Sequence, residues 1–519
     1  MTTSINNRPL LEESETSENE EDFLDNSYTD TPGTSKNTVR TDSQAELVRF
    51  SQSVPADKFN FSYIIFYLLG VTTVLPWNFF LTAEEYWIFK FHNVTDNSTT
   101  VLTPIQRTIT SDLTVAGSIP GTAFLIINAL VSHLIPLKLR MIGSMVMMLL
   151  FFIVTTAFVE VETDSWQYGF YILTLTIAVF INSAAATLTG ALMGLAGLFP
   201  SEYMTAVVSG QALSGIFSAL SDIISLTFGA PPKTTAFVYF SIGTLTVIIS
   251  LACYVIMSKT LFFRFYQNQA HKQIGSSTSL QDVNDTLQPN YREVIGKIYL
   301  YAFSLFYVFA VTLCVYPAVT VLVQSTNHGQ GHPWNDVYFT PVVNYLLFNS
   351  GDYLGRILAG IIEKPRNKPH LIVLITTIRT AFIPILMMGY STLHKFLPIV
   401  IHSDYVFILI LAAFAVSNGY ITNISLIMAP KMVMQHEKEM ASSMMAACLG
   451  LGIAAGSLGI NQHNILTHVS LITSDVGSRF EPHYLRQKIP PFNATTKKLL
   501  ICLEKIKEDT KRIPTKTST

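Results

Sequence analysis

The run MIGSMVMMLLFFIVTTAFV, residues Met141 to Val159, contains no charged side chain over a length that crosses the hydrocarbon core of a bilayer. Similar runs recur along the chain, in which only 13% of the 519 residues are charged and 49% are hydrophobic. A soluble domain carries about 25% charged residues. Lipid is therefore the expected solvent, and the sequence predicts an all-α polytopic membrane protein.

Eleven runs are long and apolar enough to be transmembrane helices. Pro200 and Glu202 favour a turn between the fourth and the fifth run rather than one very long helix. The eleven runs are Phe61 to Leu81, Leu113 to Leu134, Met141 to Val159, Tyr168 to Phe199, Tyr203 to Phe228, Thr234 to Ser258, Ile298 to Gln324, Val337 to Ile362, Leu371 to Tyr390, Tyr405 to Pro430 and Ala441 to Ile460.

A long polar segment after the sixth run divides the chain into six helices plus five. Such a division is typical of a pseudo-symmetric carrier built from two bundles. The predicted regions are a disordered acidic cytoplasmic tail at 1–58, a six-helix bundle at 59–258, a cytoplasmic loop at 259–297, a five-helix bundle at 298–460 and a C-terminal tail at 461–519.

The distribution of lysine and arginine predicts a cytoplasmic N-terminus. With that orientation the sequons at Asn93 and Asn97 lie outside, where glycans are added, and the sequon at Asn284 stays bare. Twelve basic residues then face inward and four outward: Lys138, Arg140, Lys259, Arg264, Lys272, Arg292, Lys297, Lys364, Arg366, Lys368, Lys431 and Lys438 against Lys90, Arg107, Lys233 and Lys395.

Several function classes are disfavoured by what the chain contains. The net charge of −2 gives no reason to expect a nucleic-acid partner. The four cysteines form no pair in a predicted aqueous loop, so neither a disulfide framework nor a metal site is expected. Because the chain has no G-x-x-x-x-G-K-[ST], H-E-x-x-H or G-x-S-x-G motif, we expect neither ATP-driven transport nor an intramembrane enzyme, and no cofactor.

Asp352 and Arg356 place a carboxylate and a guanidinium four residues apart in the predicted eighth helix, hence on one face. Charges at membrane depth face a protein interior or a water-filled cavity. Two interpretations stay open at this point. The pair can be an internal ion pair that fixes the helix against a neighbour, or it can bind the vicinal hydroxyls of a sugar.

Other polar residues in apolar runs have structural interpretations that we favour. Arg379 in the ninth run is expected to bond a helix carbonyl or a nearby acid. The glycines around Gln211 and in the fourth and eleventh runs are expected to permit close helix packing. In the first run Pro76 frees a backbone carbonyl near Asn78, and Trp77 is either an interfacial anchor or a flat surface for a base.

These motifs together resemble the equilibrative nucleoside transporter family, solute carrier family 29. The resemblance covers Tyr63 to about Gly459. It rests on Leu75-Pro76-Trp77-Asn78, Gly194-Leu195-Ala196-Gly197, Ser209-Gly210-Gln211, the segment from Asp352 to Arg356, and Ser417-Asn418-Gly419-Tyr420. It implies a major-facilitator-like 6+5 fold and facilitated transport of purine and pyrimidine nucleosides such as adenosine and uridine, with protons as an open partner.

The resemblance also implies roles for individual residues. Asp352 and Arg356 would bind the ribose hydroxyls, with Asn349 and Tyr345, one and two turns before Asp352, as further candidates. The base would lie near Trp77, Asn78 and Leu81. Thr189 stands where well-known members have a glutamine that contacts the base, so the base preference is open. The residues implied to line the substrate are Trp77, Asn78, Leu81, Thr189, Tyr345, Asn349, Asp352 and Arg356.

Within the family, the chain is most similar to the lysosomal member in Tyr63 to Phe66, in Tyr86 to Lys90 and in its acidic tail. Leu10 and Leu11 resemble a sorting dileucine that adaptors bind, which favours a late endosomal or lysosomal membrane over the plasma membrane. Glu439 and Asp222 are candidate proton sensors, because a carboxylate removed from water binds a proton more readily.

Two alternatives remain. One is a polyspecific carrier of organic cations or other small polar solutes on the same scaffold, in which Asp352 or Glu439 would pair with an amine. The pairing of Asp352 with Arg356 argues against it, since a neutralised carboxylate attracts a cation poorly. The other is a transport-defective variant, because the lysine-rich tail after Ile460 is unlike the family.

Overall fold

A computed structural model of the chain describes residues 55–92, 103–229, 231–275, 290–366, 368–389 and 400–457, and the regular structure in those ranges is helical. The chain divides into two units, Met1–Pro55 and Ala56–Thr519, and all helices named below belong to the second. An all-α fold is therefore confirmed for the described part of the chain.

The first half contains six long helices that are apolar enough to cross a membrane. A short helix, Glu84–Lys90, follows the first of them. The predicted turn at Pro200 is confirmed, because the fourth helix ends at Gly197 and the fifth begins at Ser201. The six helices are α1 Phe61–Thr82, α2 Pro104–Val131, α3 Leu137–Glu160, α4 Gln167–Gly197, α5 Ser201–Phe228 and α6 Pro232–Met257.

The second half contains α7 to α11. Two π-helical segments, Trp334–Tyr338 and Thr340–Leu347, lead directly into the eighth helix. Wide π-helical turns are rare and occur mainly at functional sites. The helices are α7 Tyr291–Val315, α8 Phe348–Ile362, α9 Pro369–Ile378, α10 Asp404–Met428 and α11, the span Gln435–Ser457.

Ten helical spans in the described ranges have the length and composition to cross a membrane. The missing one of the eleven predicted is α8, whose π-helical and α-helical pieces are each too short to qualify alone. The total of eleven therefore stays a prediction. The end of the bundle at which α1 begins and α8 ends is called the base below.

The ninth predicted helix is not continuous. It runs as α9, a 3₁₀ turn Arg379–Ala381 and a short helix Phe382–Met387. Pro384 has no N–H to donate to the carbonyl four residues earlier, so a regular α-helix cannot continue through this point. The break places Arg379 at a turn inside the bundle, where its side chain is buried.

The predicted loop at 259–297 needs a correction. Helix Leu261–Gly275 occupies its first part, and α7 already begins at Tyr291. Phe262 and Phe263 are buried and pack against Phe199 at ring-centroid distances of 5.9 and 5.7 Å. The polar residues that follow its aromatic first turns hid this helix, because they make the segment as a whole polar.

Candidate substrate-binding site

The second half positions its charged residues by close packing of α8 on α10. A Cβ atom added at Gly355 would collide with the carbonyl oxygen of Val416, and one added at Gly419 would collide with the carbonyl oxygen of Asp352. The two backbones therefore touch, as small residues allow in membrane helices. This contact brings Asn418 of α10 beside Asp352 of α8.

Asp352 and Arg356 form the predicted pair and both are buried. Arg356 Nε lies 2.8 Å from Asp352 Oδ2, a close ionic contact. Its N–H is not aligned on that oxygen, and Nε has no hydrogen-bond acceptor among the described residues. Asn418 Nδ2 donates to the other carboxylate oxygen, Oδ1, at 2.6 Å. Each oxygen of the Asp352 carboxylate thus has a partner within the protein.

Arg356 also connects the two halves. Its Nη1 donates to the carbonyl oxygen of Val208 in α5 at 2.6 Å. One turn towards the base, Asn423 Nδ2 donates to the Arg356 carbonyl at 2.6 Å and lies 3.2 Å from the hydroxyl of Thr205. The guanidinium of Arg356 therefore belongs to both the pair and the contact between halves.

The α1 candidates are half-buried in the first half. The Trp77 ring stacks on Phe80 at a centroid distance of 5.8 Å, and a Cβ atom at Gly117 of α2 would lie 2.6 Å from it. Asn78 Nδ2 donates to Ser214 Oγ of α5 at 3.3 Å. Leu81 is half-buried one turn further along. Trp77 is thus a packed interior residue. That a nucleobase stacks on its ring stays a prediction.

Helix α5 lies between the two sets of candidates. Ser214 contacts Asn78, and at the next residue a Cβ atom on Gly215 would collide with the side chain of Asn349. Asn349 is half-buried and donates to the carbonyl of Tyr345 at 2.8 Å. The α1 and α8 candidates are therefore brought together on opposite sides of one glycine-containing turn.

Thr189 is half-buried in α4, and its hydroxyl donates to the carbonyl of Ala185 at 2.8 Å. The single hydroxyl proton is used by this bond, so Thr189 can offer a ligand only an acceptor oxygen. A glutamine would offer both a donor and an acceptor. Thr189 therefore offers a ligand fewer hydrogen bonds than a glutamine would, and its contact with a nucleobase stays a prediction.

The two candidate proton sensors lie in different places. Glu439, in the first turns of α11, forms an ion pair with the buried Arg140 at the start of α3. Asp222 of α5 lies near the opposite end, in a cleft that Glu85 and Tyr239 also line. Glu439 thus links the two halves at the base, whereas Asp222 stays within the first half.

A second charged contact joins the halves at the base. Ser201 at the start of α5 donates to Glu363 Oε1 at 2.7 Å, and Lys431 and Arg366 each lie 3.1 Å from Oε2. Burial opposes ionisation, but these three partners together hold the pKa of Glu363 below its usual value. This carboxylate therefore keeps its charge to lower pH than an ordinary glutamate does.

Five residues about which the sequence makes predictions lie outside the described ranges: Leu10, Leu11, Asn93, Asn97 and Asn284. Sequence analysis also missed two partners. Arg140 was counted only as a loop charge, although it stands at the start of an apolar run. Asn418 was noted only as part of a motif. An amide inside an apolar helix needs a partner, which was the available signal.

Among the described residues, the buried charged pair lies beside close contacts between the two halves. Two helical bundles in close contact are an architecture typical of membrane carriers. A proton:xylose symporter of the major facilitator superfamily shares the fold, with a TM-score of 0.50 at 12% identity over 80% of this chain and 91% of that chain.

Comparison with known sequences identifies the family. A profile described as nucleoside transporter matches residues 175–460. Equilibrative nucleoside transporter 2 of Homo sapiens is 33% identical over 447 residues, covering 78% of this chain and 96% of that protein. Equilibrative nucleoside transporter 3 of Rattus norvegicus is 27% identical over 420 residues, covering 78% and 88%. The chain belongs to the equilibrative nucleoside transporter family.

Proposed function

We propose that the chain moves purine and pyrimidine nucleosides across a membrane by facilitated diffusion. The observation that carries this proposal is the buried Asp352–Arg356 pair, whose ionic contact at 2.8 Å is not a linear hydrogen bond. Such a pair can accept a hydrogen bond from one ribose hydroxyl at the carboxylate and donate one to the neighbouring hydroxyl from the guanidinium. The relatives, which are named as nucleoside transporters, support the same substrate class.

Alternating access follows from the second bond that Arg356 makes. Its guanidinium bonds the Val208 carbonyl across the boundary between the halves. A sugar that draws the guanidinium toward its own oxygens weakens this bond, so substrate binding and separation of the halves are coupled. A ligand shifts such an equilibrium only through differential contacts of this kind.

Uptake into proteoliposomes tests the proposal. Labelled uridine and adenosine should enter down their gradients, and 2′,3′-dideoxyuridine should enter about 100-fold less efficiently, because it leaves desolvated polar groups unpaired. Equal handling of uridine and the dideoxy analogue would reject ribose binding. A pH gradient that drives accumulation would establish proton coupling, and unchanged uptake would establish uncoupled diffusion.

We propose a cytoplasmic N-terminus, which the charge distribution of the loops supports. A glycosidase that shifts the mobility of the wild type, but not that of an Asn93→Gln/Asn97→Gln variant, would agree with it. Glycan on Asn284 would reverse the orientation.

We also propose an endolysosomal location, for which the dileucine-like Leu10-Leu11 is the support. Replacement of both leucines by alanine should increase the amount of protein at the cell surface. An unchanged distribution would eliminate this pair as the sorting signal.

A further inference from the structure

A second buried arginine is linked to the Asp352 carboxylate by an unbroken row of hydrogen bonds. Arg379 Nη1 lies 2.7 Å from Thr312 Oγ1 in α7. Thr312 Oγ1 lies 2.7 Å from Asn418 Oδ1, and Asn418 Nδ2 lies 2.6 Å from Asp352 Oδ1. All four side chains are buried. The row crosses from the turn after α9 through α7 and α10 to α8.

The chemistry of the two ends fixes the direction of every bond in this row. A guanidinium can only donate, and an ionised carboxylate can only accept. Thr312 must therefore accept from Arg379, which leaves its single proton to give away. Asn418 must turn its amide N–H₂ to Asp352 and its carbonyl oxygen to Thr312. Each residue in the row has one orientation that satisfies both neighbours.

The carbonyl of Val308 competes with Asn418 for the hydroxyl proton of Thr312. The Thr312 hydroxyl also lies 2.6 Å from the Val308 carbonyl, the usual partner of a threonine in a helix. Arg379 Nη1 donates to that same carbonyl at 3.2 Å. The carbonyl therefore has a donor without Thr312, and the hydroxyl proton is free to serve Asn418.

Arg379 is itself held firmly. Its Nε donates to Ser417 Oγ and its Nη2 to the Phe414 carbonyl, each at 2.9 Å, and the guanidinium lies 4.2 Å from the centroid of the Phe414 ring. None of these partners is a carboxylate. The anionic group at the other end of the row is Asp352. The positive charge of Arg379 therefore polarises each hydrogen bond of the row and strengthens the bond that Asn418 donates to Asp352.

We infer that Arg379, Thr312 and Asn418 are positioning residues that determine selectivity for the ribose diol. Asn418, at the end of the row, donates to Oδ1 of Asp352, so that Oδ2, which Arg356 Nε contacts at 2.8 Å, is the oxygen left to accept a hydrogen bond from the substrate. One oxygen and one N–H fit a pair of neighbouring hydroxyls, one donating and one accepting. This inference rests on the proposed transport of nucleosides.

Thr312→Val tests the inference, because it removes the hydroxyl at similar volume. We expect the KM for uridine to rise about tenfold with kcat within about twofold of wild type, the loss of one hydrogen bond to a charged group. Uptake of 2′,3′-dideoxyuridine should not change, so the ratio of uridine to dideoxyuridine uptake falls about tenfold. Thr312→Ser, which keeps the hydroxyl, should restore the wild-type ratio.

Ser417→Ala is the matched control, since it removes a bond to Arg379 outside the row and should leave the ratio unchanged. A Thr312→Val ratio equal to that of wild type, or equal losses for both substrates, would overturn the inference while leaving the proposed function intact. Should Thr312→Val reach the membrane poorly, Asn418→Ala in detergent, with binding of both nucleosides measured, gives the same comparison. A wild type that does not discriminate between them rejects the ribose contact itself.

Discussion

Within the described ranges, two buried arginines pair with carboxylates, and the pairs differ in what they connect. Arg356 and Asp352 lie four residues apart on one helix. Arg140 and Glu439 come from α3 and α11, on opposite sides of the boundary between the halves. Rigid movement of the halves leaves the first pair intact, whereas the second pair breaks if the halves separate at the base.

The two arginines also differ in how many hydrogen-bond acceptors they have within their own half. Arg140 has three further acceptors in its own half: the carbonyls of Ile135 and Ser132 and the side-chain oxygen of Asn128. The Glu439 side chain is 28% exposed. If this pair opens, Arg140 keeps its partners and water solvates Glu439, so opening costs little. Arg356 has fewer partners in its own half, since its Nη1 donates to the Val208 carbonyl across the boundary.

The largest effect is expected from breaking the pair within α8. Asp352→Asn or Arg356→Gln should reduce uridine uptake at least 100-fold, because each leaves one buried charge without its partner at a cost of about 3–5 kcal/mol. The double variant should also lose uptake if the pair binds ribose. Uptake is measured on variants matched for their amount in the membrane. Normal uptake by the double variant would reduce the pair to a structural role.

Opening the pair at the base should have a smaller, conformational effect. Glu439→Gln weakens the contact between halves, so a cysteine introduced at Ser443, where the native hydroxyl bonds the Gly190 carbonyl, should be alkylated about tenfold faster from the base side. Because protonation removes the same charge, this variant should also flatten any dependence of uptake on pH. A full pH response in Glu439→Gln would exclude Glu439 as the proton sensor.

Packing between the halves can be tested with glycines. Gly215→Ala puts a methyl group about where Asn349 stands, with its Cγ 2.7 Å away, so Asn349 must shift. We expect a several-fold loss of uridine uptake, in line with overpacking costs of about 1–3 kcal/mol. Gly143→Ala in α3 is the matched control, since nothing lies within 4 Å of its added Cβ. Equal effects of the two substitutions would contradict the assigned contact.

The sequence predicted most helices to within a few residues because long apolar runs are a strong and local signal. It predicted the Asp352–Arg356 pair for the same reason, since both residues lie on one helix. It did not show the ion-pair partner of Glu439, Arg140, which lies 299 positions away in the chain. Contacts between distant helices depend on how the halves pack, and spacing within one segment carries no information about that.

The helix Leu261–Gly275 was missed for another reason. Its apolar residues cluster in the first turns, where Phe262 and Phe263 are buried, and polar residues follow. A segment is identified as membrane-spanning by its average composition, so a short helix that packs on the base through two aromatic rings gives no such signal. In the sequence, the break between α9 and the helix Phe382–Met387 is indicated only by Pro384.

The smallest effect is expected from an uncharged contact between the halves. Tyr67 Oη of α1 donates to Tyr353 Oη of α8 at 2.9 Å, one residue away from Asp352 along the chain, and both rings are half-buried. A neutral hydrogen bond contributes about 0.5–1.5 kcal/mol net, so Tyr67→Phe and Tyr353→Phe should each change uridine uptake only about two- to threefold. Because both substitutions remove the same bond, the double variant should resemble either single variant, whereas Tyr67→Phe combined with Glu439→Gln should show multiplied effects. Multiplied effects in the Tyr67→Phe/Tyr353→Phe variant would mean that the two hydroxyls act separately and that this contact does not hold the halves together.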